Sequence, residues 1–462
     1  MSDLVVSRCL KAIGGSVFNR NSRLALVAAA LVAVSAEPAR ATDGHLLHGV
    51  GAINSALGGV GIASSESILG AFYVNPAGLA SFDNTRVELG FEMFKPERTI
   101  SSSAGPYSGS TTSSSQFVPI PAFAWTRSIR NNTFVVGVAG IGAGGFGVDY
   151  HVDANNPILA PRPYGFGQVF SNFQLMKIVP AVAMNVSKSL RIGAAANIDW
   201  ASLEVDPMPV AAPAVDPGID GIPNTADDRA YYSRAPDASG SFGLGLQVGL
   251  QYDVLDRVTF GLSYSSPQRF QEFEFGGIYE NPNLPSFNAP RKILFALDVP
   301  AIYGGGIAIH PSDRVAVGLD AKYVTYAKTR GFKESGFAPD GAVNGFGWDN
   351  IWTVATGLQL QPFDRLIARM GYNYSQNPIP DAMTMFNAPA PAVVKHHATV
   401  GLGYRISDGF GVDLAYYRAF QNSITGSIQT PAGAMPGTQV KSSMSENSIL
   451  MGISYAPRGI SR

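Results

Sequence analysis

Arg314-Val315-Ala316-Val317-Gly318-Leu319-Asp320-Ala321-Lys322-Tyr323 separates by strict alternation into two unlike faces. Val315, Val317, Leu319, Ala321 and Tyr323 make one; Arg314, Ala316, Gly318, Asp320 and Lys322 make the other. Side chains repeat every two residues on a strand and every 3.6 on a helix, so this stretch predicts a strand with one apolar and one charged face. The pattern returns in Thr399–Ile406, where Val400, Leu402, Tyr404 and Ile406 oppose Thr399, Gly401, Gly403 and Arg405. It returns again where Val412, Leu414 and Tyr416 oppose Asp413, Ala415 and Tyr417. In a membrane barrel the apolar set faces lipid and the polar set faces the lumen.

Working outward, fourteen segments of about ten residues alternate in this way, running from 85–95, 116–127 and 132–141 through to 409–420 and 446–456. The connections between them also alternate. Short ones fall at Ser128–Asn131, Ser187–Ser189, Val254–Leu255, His310–Ser312, Pro362 and Ser407–Asp408; long ones cover roughly 96–115, 142–172, 204–239, 267–290, 327–348, 375–394 and 421–445. Short turns at one end and long loops at the other predict an all-β fold, a transmembrane antiparallel barrel of fourteen strands over 85–456. An even strand number places both barrel ends on the short-turn, periplasmic side. Blade repeats, which a propeller would need, are absent.

Composition fits. Charged residues make up 15% of the 462 and aromatics 10%, with 51 glycines. Soluble surfaces usually carry about 25–35% charged residues. Tyr and Trp at segment ends, such as Trp125, Trp200, Tyr323 and Trp352, fit interfacial girdles. After the N-terminal leader, the most apolar stretch, Thr133–Val148, holds six glycines, which disfavours a helix. Only helices and closed barrels satisfy the backbone inside a bilayer.

Residues 1–41 read as a secretory signal. Arg8, Lys11, Arg20 and Arg23 precede the eleven-residue apolar run Leu24–Val34, and Ala39-Arg40-Ala41 offers a small-x-small cleavage site. A spanning helix would need about 20 residues. The one cysteine, Cys9, lies ahead of that run, so a mature chain would carry no thiol. Removing 1–41 takes the formal charge from −1 to −4, with no basic patch to suggest nucleic acid. Residues 42–84 do not alternate. They hold eight glycines and three charges, Asp43, Glu66 and Asp83, and predict a compact plug inside the lumen.

Four stretches resemble the FadL family of outer-membrane transporters for long-chain fatty acids, which includes TodX-type importers of aromatic hydrocarbons. They are Gly49–Gly59 with Tyr73-Val74-Asn75-Pro76-Ala77-Gly78-Leu79; Val299–Gly306 with Asp313-Arg314-Val315 and Gly318-Leu319-Asp320; Arg369–Tyr374 with Asn377–Asp381; and His397–Arg405 running into Asp413–Tyr416. They follow the family's order over nearly all of 42–456. One departure is the C-terminus, where Tyr455 is followed by the tail Ala456–Arg462, of which 457–462 lies beyond the barrel, rather than ending the chain as an aromatic.

The resemblance implies a hatch over 42–84 with its motif at Asn75, Pro76, Ala77 and Gly78. It also implies capture of a hydrophobic ligand between long loops, and lateral release where the third strand is kinked. The glycines Gly140, Gly142, Gly144 and Gly145 mark that kink, since strand glycines weaken a ladder. A fatty acid needs an apolar slot and a cation for its carboxylate. Lys322, Arg314, Arg369 and Arg405 are the candidates, with Asp199, Asp320 and Asp413 as competing partners; Ile158, Leu159, Phe166, Phe170, Phe270, Phe273 and Phe275 are candidates for the outer groove.

No catalytic residue, cofactor or metal is expected. G-x-S-x-G, H-E-x-x-H and P-loop patterns are missing. The turn-rich acidic stretch 216–228 spaces oxygen ligands in a way that suits calcium, but it lacks the EF-hand's length and terminal Glu and reads rather as a solvated loop; the pairs His45/His48 and His396/His397 lack a third ligand nearby. The expected partners are a long-chain fatty acid or other hydrophobic ligand and the lipid and lipopolysaccharide of a Gram-negative outer membrane. Closure by one chain predicts a monomer. The alternatives are a TodX-type aromatic hydrocarbon importer and a general porin; a porin has an open, charge-lined lumen, against which residues 42–84 argue.

Overall fold

The computed structural model describes residues 43–457, apart from 116, 131, 223, 224, 226, 235 and 236. The expected signal (1–41) and nearly all of the C-terminal tail lie outside the described residues. Among the described residues, fourteen long antiparallel strands close a ring. They are β1 (Arg86–Ala104), β2 (Val118–Ile129), β3 (Phe134–Tyr150), β4 (Val169–Asn185), β5 (Leu190–Asp206), β6 (Ser239–Leu255), β7 (Val258–Ser265), β8 (Ile302–Ser312), β9 (Val315–Val324), β10 (Ile351–Phe363), β11 (Leu366–Ser375), β12 (His396–Ser407), β13 (Phe410–Gly426) and β14 (Thr438–Tyr455). Each pairs with its sequence neighbours, and β14 closes on β1 from Val87↔Tyr455 to Ala104↔Thr438.

The alternation holds as expected. On β9, Leu319 is 51% exposed while Asp320 is 1% exposed. Val400, Leu402, Leu414 and Met451 face outward, whereas Thr399, Ala415 and Tyr417 are buried. Outward-facing leucines and valines meet lipid tails, and the inward face takes the charges that lipid would reject. Tyr323 and Trp352 pack across β9 and β10 at 4.9 Å between ring centroids, at the long-loop end of the wall.

Several boundaries differ from the sequence reading. Short turns fall at Asp256–Arg257, Asp313–Arg314, Asp364–Arg365 and Asp408–Gly409, up to three residues later than expected. Each turn carries an aspartate, and the strands run on past Pro311 and Pro362, where the ladder register shifts around each proline. The stretch 291–309 is not one strand: Pro290–Phe295 forms a hairpin with Phe273–Ile278, and only Ile302–Ser312 joins the wall. Pro300, which cannot donate to a ladder, lies in the break. The third strand continues past 141 to Tyr150, so its glycine run is strand rather than loop.

Residues 43–84 are almost wholly buried and touch strands from all round the ring. They form α1 (Gly51–Ala56), α2 (Ile68–Val74) and a 3-10 turn, Pro76–Ser81. Short helices need caps, since their end amides have no partner within the helix. Asn54 braces α1, accepting from Val50 N at 3.0 Å and donating to the Val60 carbonyl at 2.8 Å. Ser67 caps α2 by accepting from Gly70 N at 3.1 Å. The loop after α1 returns so tightly that a Cβ on Gly59 (φ +84°) would lie 1.9 Å from the His48 carbonyl oxygen.

Wall carboxylates fix the segment. Glu88 of β1 accepts from the Ser67 hydroxyl at 2.7 Å and from Ile68 N at 2.9 Å. Asp320 of β9 accepts from Gly61 N and Ile62 N at 2.7 and 2.9 Å. Thr399 of β12 donates to the Ala56 carbonyl at 2.8 Å. The bonds to an ionised carboxylate are charge-assisted, a class about twice as strong as neutral bonds such as that of Thr399. They come from well-separated strands, so the segment is tied across the lumen rather than laid against one side.

Candidate functional site

The long loops enclose an apolar groove of about 440 Å³. Ile158, Tyr164 and Phe166 come from the β3–β4 loop, Pro209 and Tyr232 from β5–β6, Phe337 and Val343 from β9–β10, Met385 and Phe386 from β11–β12, and Ile428 from β13–β14. The volume lies within the about 300–1,000 Å³ usual for small-molecule sites. Pro209, Val343, Phe386 and Pro389 also line a smaller apolar pocket beneath, shared with Phe275, Phe295 and Phe346. Of the expected groove residues, Ile158 and Phe166 line the outer space and Phe275 the inner one; Leu159, Phe270 and Phe273 are buried in loop packing.

Below this pocket lies an aromatic cluster. Phe346, Phe332, Trp348 and Tyr326 pack in series, and His45 stacks on Phe332 at 4.9 Å. Burial, and then the charge of Lys177, push the His45 imidazole down to about 3, so it is neutral at physiological pH. A small central cavity of about 50 Å³ follows, lined by apolar residues such as Leu46, Phe72, Ile141 and Val179 and by the polar Asn197, Gln247, Ser263 and Ser265, together with Asp43, Lys177 and Lys322.

The four expected cations separate. Lys322 lines the central cavity, but its ammonium meets Asp43 Oδ2 at 2.5 Å. Arg369 is buried against Asp413 at 2.7 Å and donates to Gln359 at 2.6 Å. Arg314 lies in a short turn, exposed and paired with Asp364 at 2.6 Å, and Arg405 stands near the same end of the wall beside a polar recess that also holds Arg86 and Tyr455. Arg314 and Arg405 are thus far from the loop groove, at the turn end.

Lys177 of β4 was not singled out by the sequence reading. Its side chain is buried in the central cavity and donates to Gln268 Oε1 at 2.5 Å. Asp199 stands directly across the ladder, yet neither of its carboxylate oxygens has a hydrogen-bond partner among the described residues. One signal was present in the sequence. Met176 and Ile178 on either side belong on the lipid face, which obliges the intervening lysine to point inward.

Asn75 is fully buried in the hatch motif. Its amide donates to the Ile62 carbonyl at 2.6 Å and to those of Leu250 and Leu262 on β6 and β7 at 3.3 Å, while its oxygen accepts from Ala77 N at 3.0 Å. Pro76 opens the 3-10 turn, where a missing N–H costs nothing. An added Cβ on Gly78 would lie 2.9 Å from the Ser65 hydroxyl oxygen. Asn75 thus joins the segment inside the lumen to the wall.

The wall itself has a break. The β2–β3 ladder stops at Ala122↔Ile141, although β2 keeps its pairing with β1 to Val118 and β3 its pairing with β4 to Tyr150. The register of β3 shifts between Gly142 and Gly144. In the resulting slot, residues 45–47 pair with β3: Leu47 N donates to the Ala143 carbonyl at 3.2 Å, and Gly145 N to the His45 carbonyl at 2.9 Å. Gly144 permits that approach, since a Cβ there would lie 2.4 Å from the His45 oxygen. Gly140 is different: it sits below the slot, in register with both Phe123 and Ile178. His48 stacks on His397 at 4.5 Å, and no group of three or more metal-binding side chains occurs among the described residues.

A closed fourteen-stranded barrel with an apolar exterior, a segment folded across its lumen and an apolar groove among its loops defines an outer-membrane channel for hydrophobic compounds. Residues 46–458 match the family described as "Outer membrane protein transport protein (OMPP1/FadL/TodX)", and the chain belongs to it. Its members are transport channels, not enzymes. No curated protein sequence matches. Solved structures share the fold. A Pseudomonas aeruginosa FadL homologue has 17% identity over 89% of this chain and 99% of its own, with a TM-score of 0.68. The Pseudomonas putida toluene transporter TodX has 16% identity over 89% and 99%, with a TM-score of 0.65. The Ralstonia pickettii toluene transporter TbuX has 16% over 89% and 99%, with a TM-score of 0.60.

Proposed function

We propose that this channel carries long-chain fatty acids inward by passive diffusion. The ligand is captured in the loop groove, passes to the central cavity, and leaves sideways through the slot between β2 and β3 once residues 43–47 move. The observation that carries this reading is Lys177: an ammonium buried in a cavity of mixed apolar and polar lining, hydrogen-bonded to a neutral amide, whereas the other lysine there, Lys322, is paired with Asp43. An amphipathic ligand with one anionic end fits such a site, because charge-assisted bonds strengthen away from water. The hatch is pinned to the wall on several sides, which favours a lateral exit over one straight through the lumen.

A second reading, a TodX-type importer of neutral aromatics, is favoured by the rings between groove and cavity, Phe346, Phe332, Trp348 and Tyr326. The two part at Lys177→Met. Under the fatty acid reading, oleate binding to the refolded barrel weakens about tenfold or more, the worth of one charged hydrogen bond, and toluene binding is unchanged. Oleate binding indifferent to the change, alongside saturable toluene binding, would favour the hydrocarbon importer.

A further inference from the structure

The slot is bordered on its β2 side by Val118-Pro119-Ile120-Pro121, and this border has no amide hydrogen at two alternate positions. The β1–β2 ladder runs in register through both prolines, Met93↔Pro119 and Phe91↔Pro121. A proline survives in a ladder only where its nitrogen faces away from the partner. Both nitrogens therefore face β3. The geometry agrees: the Pro121 carbonyl, on the same edge as its own nitrogen, lies 3.5 Å from where a Cβ on Gly142 would sit, and the Trp125 carbonyl, four residues on, likewise points at Gly137.

We infer that Pro119 and Pro121 are positioning residues for lateral release: they keep β2 from zipping onto β3, so that the slot is filled by the hatch's own residues 45–47 and by nothing else in the wall. The inference rests on the lateral-exit reading above. An open edge inside a bilayer is costly, because unpaired backbone groups there have no water to bond. Two prolines lower that cost on the β2 side by removing the donors outright. On the β3 side, Ala143 O and Gly145 N are satisfied by Leu47 and His45. Above, Ser114 N donates to the Asp149 carbonyl at 2.9 Å and closes the upper end. The slot is thus bounded below by the Ala122↔Ile141 pair, above by Ser114, and between them by a removable strand.

The test is Pro119→Val with Pro121→Val in the full refolded barrel, which restores both donors. The expected result is two-fold: the amides at positions 119 and 121 become protected from hydrogen exchange, and delivery of oleate into vesicles slows at least tenfold while groove binding is unchanged. Unchanged delivery overturns the inference, and so does slowed delivery without amide protection. If the double variant does not fold, Pro121→Val alone is read by the same two measures. A separate staple tests the exit itself. A Cβ on Gly142 would lie 3.8 Å from the Ile120 Cβ, a disulfide separation. If Ile120→Cys with Gly142→Cys stops delivery when oxidised and reductant restores it, the lateral exit stands whatever the prolines do. Delivery that survives oxidation removes the exit and with it the role of the prolines.

Discussion

Lys322 Nζ and Asp43 Oδ2 meet at 2.5 Å, both nearly buried, and join the wall strand β9 to the first described residues of the hatch. The Tyr326 hydroxyl adds a second tie, donating to the Asp43 carbonyl at 2.8 Å. These contacts anchor Asp43, two residues ahead of the stretch 45–47 that fills the slot.

Removing one partner of a buried ion pair leaves the other charge uncompensated, at a cost of about 3–5 kcal/mol. Lys322→Met is expected to loosen residues 43–47, seen as faster hydrogen exchange at Leu47 N and Gly145 N. Adding Asp43→Asn should recover much of that protection. A double variant as exposed as the single one would show that the pair does not hold this strand.

Arg369 is expected to be irrelevant to the ligand. Its guanidinium is committed to Asp413 and Gln359. Arg369→Leu should lower the stability of the refolded barrel by about 3–5 kcal/mol, read from its denaturant midpoint, with oleate affinity unchanged. Weakened oleate binding at full stability would return Arg369 to the ligand site.

Gly144→Val places a side chain where the His45 carbonyl now lies. It should expel residues 45–47 from the slot without disturbing the β3–β4 ladder. Limited proteolysis is then expected to cut near residues 43–48 in the variant and to leave the parent intact there. Undiminished resistance would mean that the strand is held from elsewhere.

The His45 imidazole, lowered to about 3 in the fold against 6.5 unfolded, gains a proton only on leaving its site. Its contribution is therefore complete above about pH 6.5 and is lost as pH falls from there toward 3, by about 1.4 kcal/mol per pH unit. Protection of this segment should decline over that window, and His45→Gln should make the decline shallower, the buried His48, held below its ordinary value first by burial, accounting for the remainder. An equally steep profile in that variant would assign the effect to other groups.

Period-2 alternation made the barrel legible because lipid outside and water or protein inside impose opposite demands on successive residues, as Leu319 and Asp320 show. The loop-length rhythm gave the ends. Asn75-Pro76-Ala77-Gly78 could be placed in the hatch through resemblance, and its buried hydrogen bonds explain why such residues stand there.

The cations were legible as inward-facing but not as free or committed. Lys322, Arg369 and Arg314 each point away from lipid or into a turn, yet their carboxylate partners lie 279, 44 and 50 residues away in sequence. Lys177 was visible as a lysine between lipid-facing Met176 and Ile178, and only the folded chain shows that Gln268 rather than an aspartate receives it.

The sequence by itself determined the strand count, the inward and outward faces and the presence of an N-terminal segment unlike the wall, because these depend on local periodicity. Tertiary structure decided which charges neutralise one another, where the apolar groove forms among five separate loops, and where the β2–β3 ladder breaks. Those depend on distances between residues far apart in the chain, fixed only when the ring closes and the hatch folds inside it.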